Sequence, residues 1–241
     1  MNPCVLIPIY NHKDTIAAVV ANLAPYRLPC IIVDDGSDTS TQQVLAHIAA
    51  RYTWVQVLRL EQNSGKGQAL CTGFSHTYDK GYSHAIQIDA DGQHDTQDIE
   101  RFLAEARAHP TALVLGKPIF GADVPLARYF GRKISQWLVW GETLSCAIGD
   151  PLFGFRMYPL AATVALLKQH RIGARMDFEP DIAVRLYWAG VAIRNVETRV
   201  FYPAEGLSHF RMLRDNVRIS WLHTRLLAGM LIRIPQLLRR Q

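Results

Sequence analysis

The chain has 241 residues, 49% apolar and 20% charged, a globular composition that excludes a disordered chain and is long enough to bury a real core. The net charge of +5 is concentrated at the C-terminus: between Arg211 and Arg240, seven arginines face one acid, Asp215, which gives this stretch +6 and leaves −1 for the rest. No uncharged apolar run is long enough to span a bilayer, and the four widely spaced cysteines form no C-x-x-C pair, so free thiols in a reducing, cytoplasmic setting are expected.

Taken in chain order, short β-branched runs alternate with helical stretches. "CVLIPI" reads as a strand, "HKDTIAAVVANLAPY" as a helix ended by its proline, "CIIV" as a second strand and "TSTQQVLAHIAARY" as a helix. "WVQVLRL" gives a third strand, "QALCTGFSHTYDKG" a helix and "HAIQID" a fourth strand; "TQDIERFLAEARAH" and "TALVLG" add a helix and a strand. This order predicts an α/β fold with a mostly parallel central sheet flanked by helices. A mixed region follows, with a helix expected around "RMDFEPDIAVRLYWAG" and a strand-like "VAIRNVETRVFY". From Phe210 a basic amphipathic helix is expected, so the chain reads as a domain over 1–209 with a helical tail over 210–241.

In such sheets ligands bind beyond the carboxyl ends of the strands, and there the polar clusters fall: "PIYN", "DDGSD", "NSGKG" and "DADGQH". Two carboxylates one residue apart at a strand end repel unless a cation sits between them. Asp89 and Asp91 share one side of an extended segment, and Gln93 continues that side if the extension persists. Such oxygen donors suit Mg2+ or Mn2+ held together with waters and substrate phosphates. The alternative is ordinary Asp-Gly turn chemistry. In "VDDGSD", Ser37 or Asp38 is expected to cap the next helix, while Asp34 or Asp35 is available to a base or ribose edge. "NSGKGQAL" opens a helix with glycines and a lysine, which favours phosphate, although it is not a P-loop.

These four motifs in this order, with the later "GDPLFGFRMY", resemble the inverting family 2 glycosyltransferases of GT-A fold, in their dolichyl- and polyprenyl-phosphate sugar transferase branch. The resemblance covers about residues 3–210. It implies that Pro8, Tyr10 and Asn11 border the nucleotide base, that Asp35 accepts from it, and that Lys66 lies near the nucleotide. It further implies Asp89 on the ribose or metal, Asp91 with Gln93 on the metal, Lys117 at a nucleotide-sugar position where the branch often has an arginine, and Arg128 and Arg132 facing phosphate, the alternative for these two being a solvated helix face. Two departures stand out: Phe153 where the branch often has Ser or Thr, and His209 where it often has Lys.

Inversion requires an acceptor oxygen to attack opposite the departing nucleotide diphosphate. A hydroxyl acceptor needs a base, whereas a phosphate does not. "RMDFEPDIAVRL" offers Asp177, Glu179 and Asp181, with Glu179 the first choice; the alternative is that they complement the helix dipole. The implied partners are a nucleotide-sugar donor and a lipid-linked or polyprenyl-phosphate acceptor. In the tail, Arg211, Arg214, Arg218 and Arg225 form a stripe suited to peripheral contact with an anionic membrane, the alternative being a solvated helix face. Nucleic acid is not an expected partner, because aromatic interleaving is absent. Two competing readings are a nucleotidyltransferase and an inactive nucleotide-sugar-binding protein.

Overall fold

A computed structural model describes residues 1–119, 126–201 and 212–240. Their seven strands are β1 (Pro3–Ile9), β2 (Cys30–Asp34), β3 (Val55–Arg59), β4 (His84–Gln87), β5 (Leu113–Ile119), β6 (Arg156–Pro159) and β7 (Ile193–Arg199). The helices are α1 (Lys13–Leu23), α2 (Thr39–Arg51), α3 (Lys66–Asp79), α4 (Ile99–Ala108), α5 (Leu126–Thr143), α6 (Leu160–Gln169), α7 (Phe178–Trp188) and α8 (Met212–Leu238).

The strands form one sheet in the order β3-β2-β1-β4-β6-β5-β7. All are mutually parallel except β6, which runs antiparallel between β4 and β5. The first four strands and their intervening helices agree with the sequence expectation. The insertion of β6 does not appear in it, because "RMYP" is only four residues long and carries no alternation.

Strand side chains alternate between two cores, as the period-two geometry requires. Leu6, Ile31, Val33, Ala85 and Leu115 pack toward α3, α5, α6, α7 and α8. Val5, Ile7, Ile32, Ile86 and Val114 pack toward α1, α2 and α4. The short polar connections thus collect at the carboxyl ends of β1–β4. Asp38 caps α2 by accepting from Thr41 N–H, in line with the expectation for "GSD".

The described part of the tail forms α8, which continues through Pro235 to Leu238. Leu222, Leu226 and Leu237 are buried in the same core as α5 and α7. Between them lies a polar pair: Glu142 Oε1 and His223 Nδ1 are 2.7 Å apart, and both side chains are almost fully buried. No described helix is long and apolar enough to cross a membrane.

Candidate active site

The sheet parts between β1 and β4, the strand pair at which successive connections turn to opposite directions along the sheet. The last bond of this ladder runs from Ile88 N–H to Leu6 O, 3.0 Å. The next would need an N–H on Pro8, which proline lacks, so the ladder stops and the strands open a crevice. Pro8 itself is buried, and its place at the crevice floor follows from that missing donor.

On the β2 side, Asn11 adopts a left-handed conformation (φ 55°) and pins the following loop. Its Oδ1 accepts from Asp38 N–H at 2.8 Å and its own N–H donates to Ser37 Oγ at 3.0 Å. Tyr10 beside it is half-buried. Asp34 is buried against the Arg59 guanidinium and accepts from Ser37 N–H at 2.9 Å, a role in holding the loop. Asp35 accepts from Ser64 N–H and Gly65 N–H, both at 2.8 Å, and so fixes the glycine loop. Burial raises its pKa above the ordinary value, against the lowering effect of those two amides and of Arg175.

Gly65 begins α3 at φ 104°, and a Cβ there would lie 2.4 Å from Ala174 O and 2.5 Å from Arg175 Cγ. The glycine therefore allows the segment before α7 to seat directly on the loop. Arg175 Nη1 donates to Asn63 Oδ1 at 3.0 Å, and Gln68 N–H to Ala174 O at 3.0 Å. Arg175 carries no motif in the sequence, and only this close approach brings it to the crevice.

Lys66 stands at the centre. Its Nζ is 2.9 Å from Asp89 and 2.6 Å from Glu179 Oε1, so one ammonium bridges the carboxylate at the end of β4 and the carboxylate at the start of α7. Burial works against the charge on Lys66, but the two carboxylates outweigh it and hold its pKa above the ordinary range. Burial likewise opposes ionisation of Asp89, yet Lys66 and His94 bring its pKa down to about 2. Gln87 Nε2 reaches both Asp89 Oδ1 and Glu179 Oε1 at 3.5 Å, and Tyr158 O–H donates to Gln87 Oε1 at 3.1 Å. Burial pushes the Tyr158 phenol up to about 12, which keeps its proton available for that bond.

Asp89 is enclosed from two further sides. A Cβ on Gly154 would sit 2.4 Å from Asp89 Oδ2, so only glycine leaves room for the carboxylate. His94 Nδ1 accepts from Asp89 N–H at 3.2 Å, which places the imidazole proton on Nε2, 3.7 Å from Asp89 Oδ2. Burial lowers the His94 pKa, although Asp89 acts in the other direction. Phe153, one of the two departures noted above, packs on His94 with ring centroids 4.8 Å apart, so this position contributes packing rather than a hydroxyl.

The extension of β4 does not persist to Gln93. It ends at Gln87, and a turn with Gly92 at φ 75° follows. Gln93 N–H donates to Asp91 Oδ1 at 3.0 Å, so Asp91 and Gln93 are brought together by the turn and not by strand alternation. Among the described residues no group of three or more His, Cys, Asp or Glu could hold a metal alone. Asp89 and Asp91 supply carboxylate oxygens, and a metal ion held by them would need water and substrate oxygens to complete its shell.

The other expected residues are dispersed. Lys117 pairs with Glu197 at 3.0 Å on the exposed edge formed by β5 and β7. Arg132 holds Asp150 through two bonds of 3.0 Å and lies over Phe153 at 5.9 Å. Arg128 belongs to α5, but its side chain lies outside the described residues, as does His209. Of the three acids near α7, Glu179 reaches the Lys66 cluster. Asp181, fully buried, accepts from Gly173 N–H at 2.9 Å and Arg185 Nε at 2.5 Å. Asp177 accepts from Arg175 N–H at 3.1 Å and holds the turn before the helix.

The family model for glycosyl transferase family 2 matches residues 4–158. The polyprenol monophosphomannose synthase of Mycolicibacterium smegmatis is 29% identical over 231 residues, covering 89% of this chain and 82% of the relative. The undecaprenyl-phosphate mannosyltransferase of Micrococcus luteus is 30% identical over 218 residues, 88% of each chain. Among solved structures, glucosyl-3-phosphoglycerate synthase from Mycobacterium tuberculosis, crystallised with Mn2+, uridine diphosphate and glucosyl-3-phosphoglycerate, superposes with a TM-score of 0.67 at 19% identity, covering 95% of this chain and 79% of that one. Mannosyl-3-phosphoglycerate synthase from Rubrobacter xylanophilus gives 0.67 at 16% identity, with 98% and 75% covered. With the crevice, the glycine loop and the Asp89–Lys66–Glu179 cluster all inside or beside the matched span, the chain belongs to glycosyl transferase family 2 and is a glycosyltransferase of GT-A fold.

Proposed function

We propose that this enzyme transfers a sugar, with inversion, from a nucleotide-sugar donor to a polyprenyl-phosphate acceptor at the cytoplasmic face of a membrane. The observation that carries the reading is the juxtaposition of Asp89 and Glu179 across Lys66: a donor-side and an acceptor-side carboxylate meet at one half-buried cation, where the reacting atoms must pass between the two halves. The names of the Mycolicibacterium and Micrococcus relatives supply the acceptor class.

In this reading Asp35, Tyr10, Pro8 and Asn11 shape the nucleotide end, and Asp35 acts through the loop it fixes. Asp89, Asp91 and Gln93 would hold Mg2+ or Mn2+, which would supply positive charge against that developing on the diphosphate leaving group. Lys66 contributes a second positive charge at the same place without reorganisation. A phosphate acceptor is already anionic, so Glu179 serves chiefly to hold Lys66; a hydroxyl acceptor would instead require Glu179 as base. Asp177 and Asp181 shape the acceptor side by fixing the start of α7.

Two features support a membrane location. Phe130, Ile134 and Trp137 on α5 are 55–61% exposed, at helical spacings of four and three. Val217, Trp221, Leu231, Ile232 and Leu238 on α8, the neighbouring helix, are 56–83% exposed. Exposed apolar side chains gathered on two packed helices mark an interaction surface. All four cysteines are free, as a reducing compartment keeps them.

The test is a panel of nucleotide sugars with Mn2+ or Mg2+, with and without a polyprenyl phosphate. Nucleotide diphosphate release and the anomeric configuration of the product are measured. Release that requires the lipid phosphate and gives an inverted product is expected. Release equal in its absence, or a retained configuration, overturns the reading.

A further inference from the structure

Beneath the Asp89–Lys66–Glu179 cluster lies a guanidinium that none of the roles above uses. Arg156 is fully buried on β6, directly opposite Gln87 of β4 in the antiparallel register. All three of its nitrogens donate to backbone carbonyls: Nε to Phe153 O at 2.7 Å, Nη2 to Pro151 O at 2.6 Å and Nη1 to Glu179 O at 2.7 Å. It forms no salt bridge among the described residues. A buried cation without a paired carboxylate is costly, and an apolar side chain on a strand would avoid that cost.

Two consequences of this arrangement bear on the site. One is geometric. Through Phe153 O and Pro151 O, Arg156 shapes the loop that carries Gly154, whose Cα backs directly onto the Asp89 carboxylate. Through Glu179 O it ties the first turn of α7 to the same loop. One rigid planar fork therefore connects the backbone beside Asp89 with the backbone of Glu179. The other is electrostatic. Asp89 and Glu179 carry two negative charges against the single ammonium of Lys66, and with Arg156 the cluster contains two charges of each sign.

We propose that Arg156 is the positioning residue of this enzyme: it sets the separation of Glu179 from Asp89, and thereby the seat of Lys66, while touching neither donor nor acceptor. The inference rests on the functional reading above. It assigns to the strand inserted between β4 and β5 a role in the reaction beyond completing the sheet.

The experiment compares the full-length parent with Arg156→Lys, which keeps the charge but cannot span three carbonyls, and Arg156→Met, which removes both. Turnover and donor KM are measured, together with calorimetric affinity for uridine and guanosine diphosphates with Mn2+. The rate of Lys66 acetylation by acetic anhydride is followed by mass spectrometry. Both variants are expected to lose about 10- to 100-fold in kcat, the range typical of residues that orient active-site ligands. Nucleotide affinity and donor KM should stay within about twofold, a change below roughly 0.4 kcal/mol. Lys66 acetylation should rise at least about tenfold. Parental kcat and Lys66 reactivity in Arg156→Lys overturn the inference. Equal losses in nucleotide affinity and turnover, or failure of both variants to fold, also overturn it, because they describe a residue that merely supports the fold. If the parent transfers no sugar from any donor, the functional reading fails instead, and the Lys66 labelling alone decides the positioning role.

Discussion

Single side chains in the crevice separate three kinds of contribution. Among the described residues Asp91 accepts one hydrogen bond, from Gln93 N–H, and we propose that it also binds the metal shared with substrate. Asp91→Ala should therefore abolish metal-dependent nucleotide binding while the thermal unfolding profile is unchanged; calorimetry with and without Mn2+ checks this. Glu179→Gln tests the acceptor chemistry, because it keeps the shape and weakens the hold on Lys66. A loss of turnover of about 10- to 100-fold, comparable to that of the Arg156 variants, with donor affinity intact is expected for a phosphate acceptor, and a loss well beyond about 100-fold would identify Glu179 as a base. Asp89 has a distinct pH signature. Its folded-state pKa is depressed, so the stabilisation it gives is present above the unfolded carboxylate value and is lost as pH falls. Denaturant unfolding of parent and Asp89→Asn should differ most at neutral pH, and the difference should close between about pH 4 and pH 2.

Among the elements, α8 decides how the tail is understood. We propose the division at 209/210 as one of sequence character, with the catalytic motifs before it and a basic helix after it. The helix is seated in the core by Leu222, Leu226 and Leu237 and by the buried Glu142–His223 pair. Among the described residues Glu142 Oε2 and His223 Nε2 have no hydrogen-bond partner, so each side chain depends on the other. Leu226→Ala should cost about 2–5 kcal/mol, the usual range for a fully buried leucine. Replacing His223 or Glu142 alone should destabilise more than replacing both together with apolar residues, since a single change leaves the other group buried and unpaired. Urea unfolding of the two single variants and the double variant measures this directly.

For the whole molecule the distribution of surface chemistry matters most. Arg233 lies over the Trp188 ring at 4.6 Å and Arg240 over Tyr187 at 4.5 Å, so two of the seven tail arginines pack on α7. Arg214, Arg218 and Arg225 are exposed, and Arg211 lies outside the described residues. The membrane-facing surface we propose combines these exposed arginines with the exposed apolar side chains of α5 and α8. In liposome flotation, binding to phosphatidylglycerol vesicles is expected to weaken as salt rises, because exposed charges are screened beyond a Debye length. Arg214, Arg218 and Arg225 changed together to Gln should reduce binding chiefly at low salt. Trp137→Ser with Trp221→Ser should reduce it at all salt concentrations, since burial of apolar area is not screened. Flotation of both variants at the parental level would make these surfaces ordinary solvated faces.

The alternation of strands and helices, the parallel half of the sheet and the gathering of polar motifs at strand ends were legible in the sequence. Each depends on local pattern: period-two burial, helix caps and short polar connections between β-branched runs. What the sequence could not disclose are relations between distant segments. Residue order does not show that β6 inserts antiparallel between β4 and β5, because a four-residue strand has too little pattern to declare its neighbours. Nor does it show that Arg156 meets the backbone of Glu179, that Arg175 lies on Gly65, or that Asp181 is bound to Arg185 and Gly173 while Glu179, two residues earlier, reaches Lys66. Neighbouring helix positions point in different directions, and only packing decides which of two adjacent acids faces the crevice. The tertiary structure likewise turned a tail defined by its charge into a helix defined by its buried leucines, because burial depends on what a surface meets and not on its net charge.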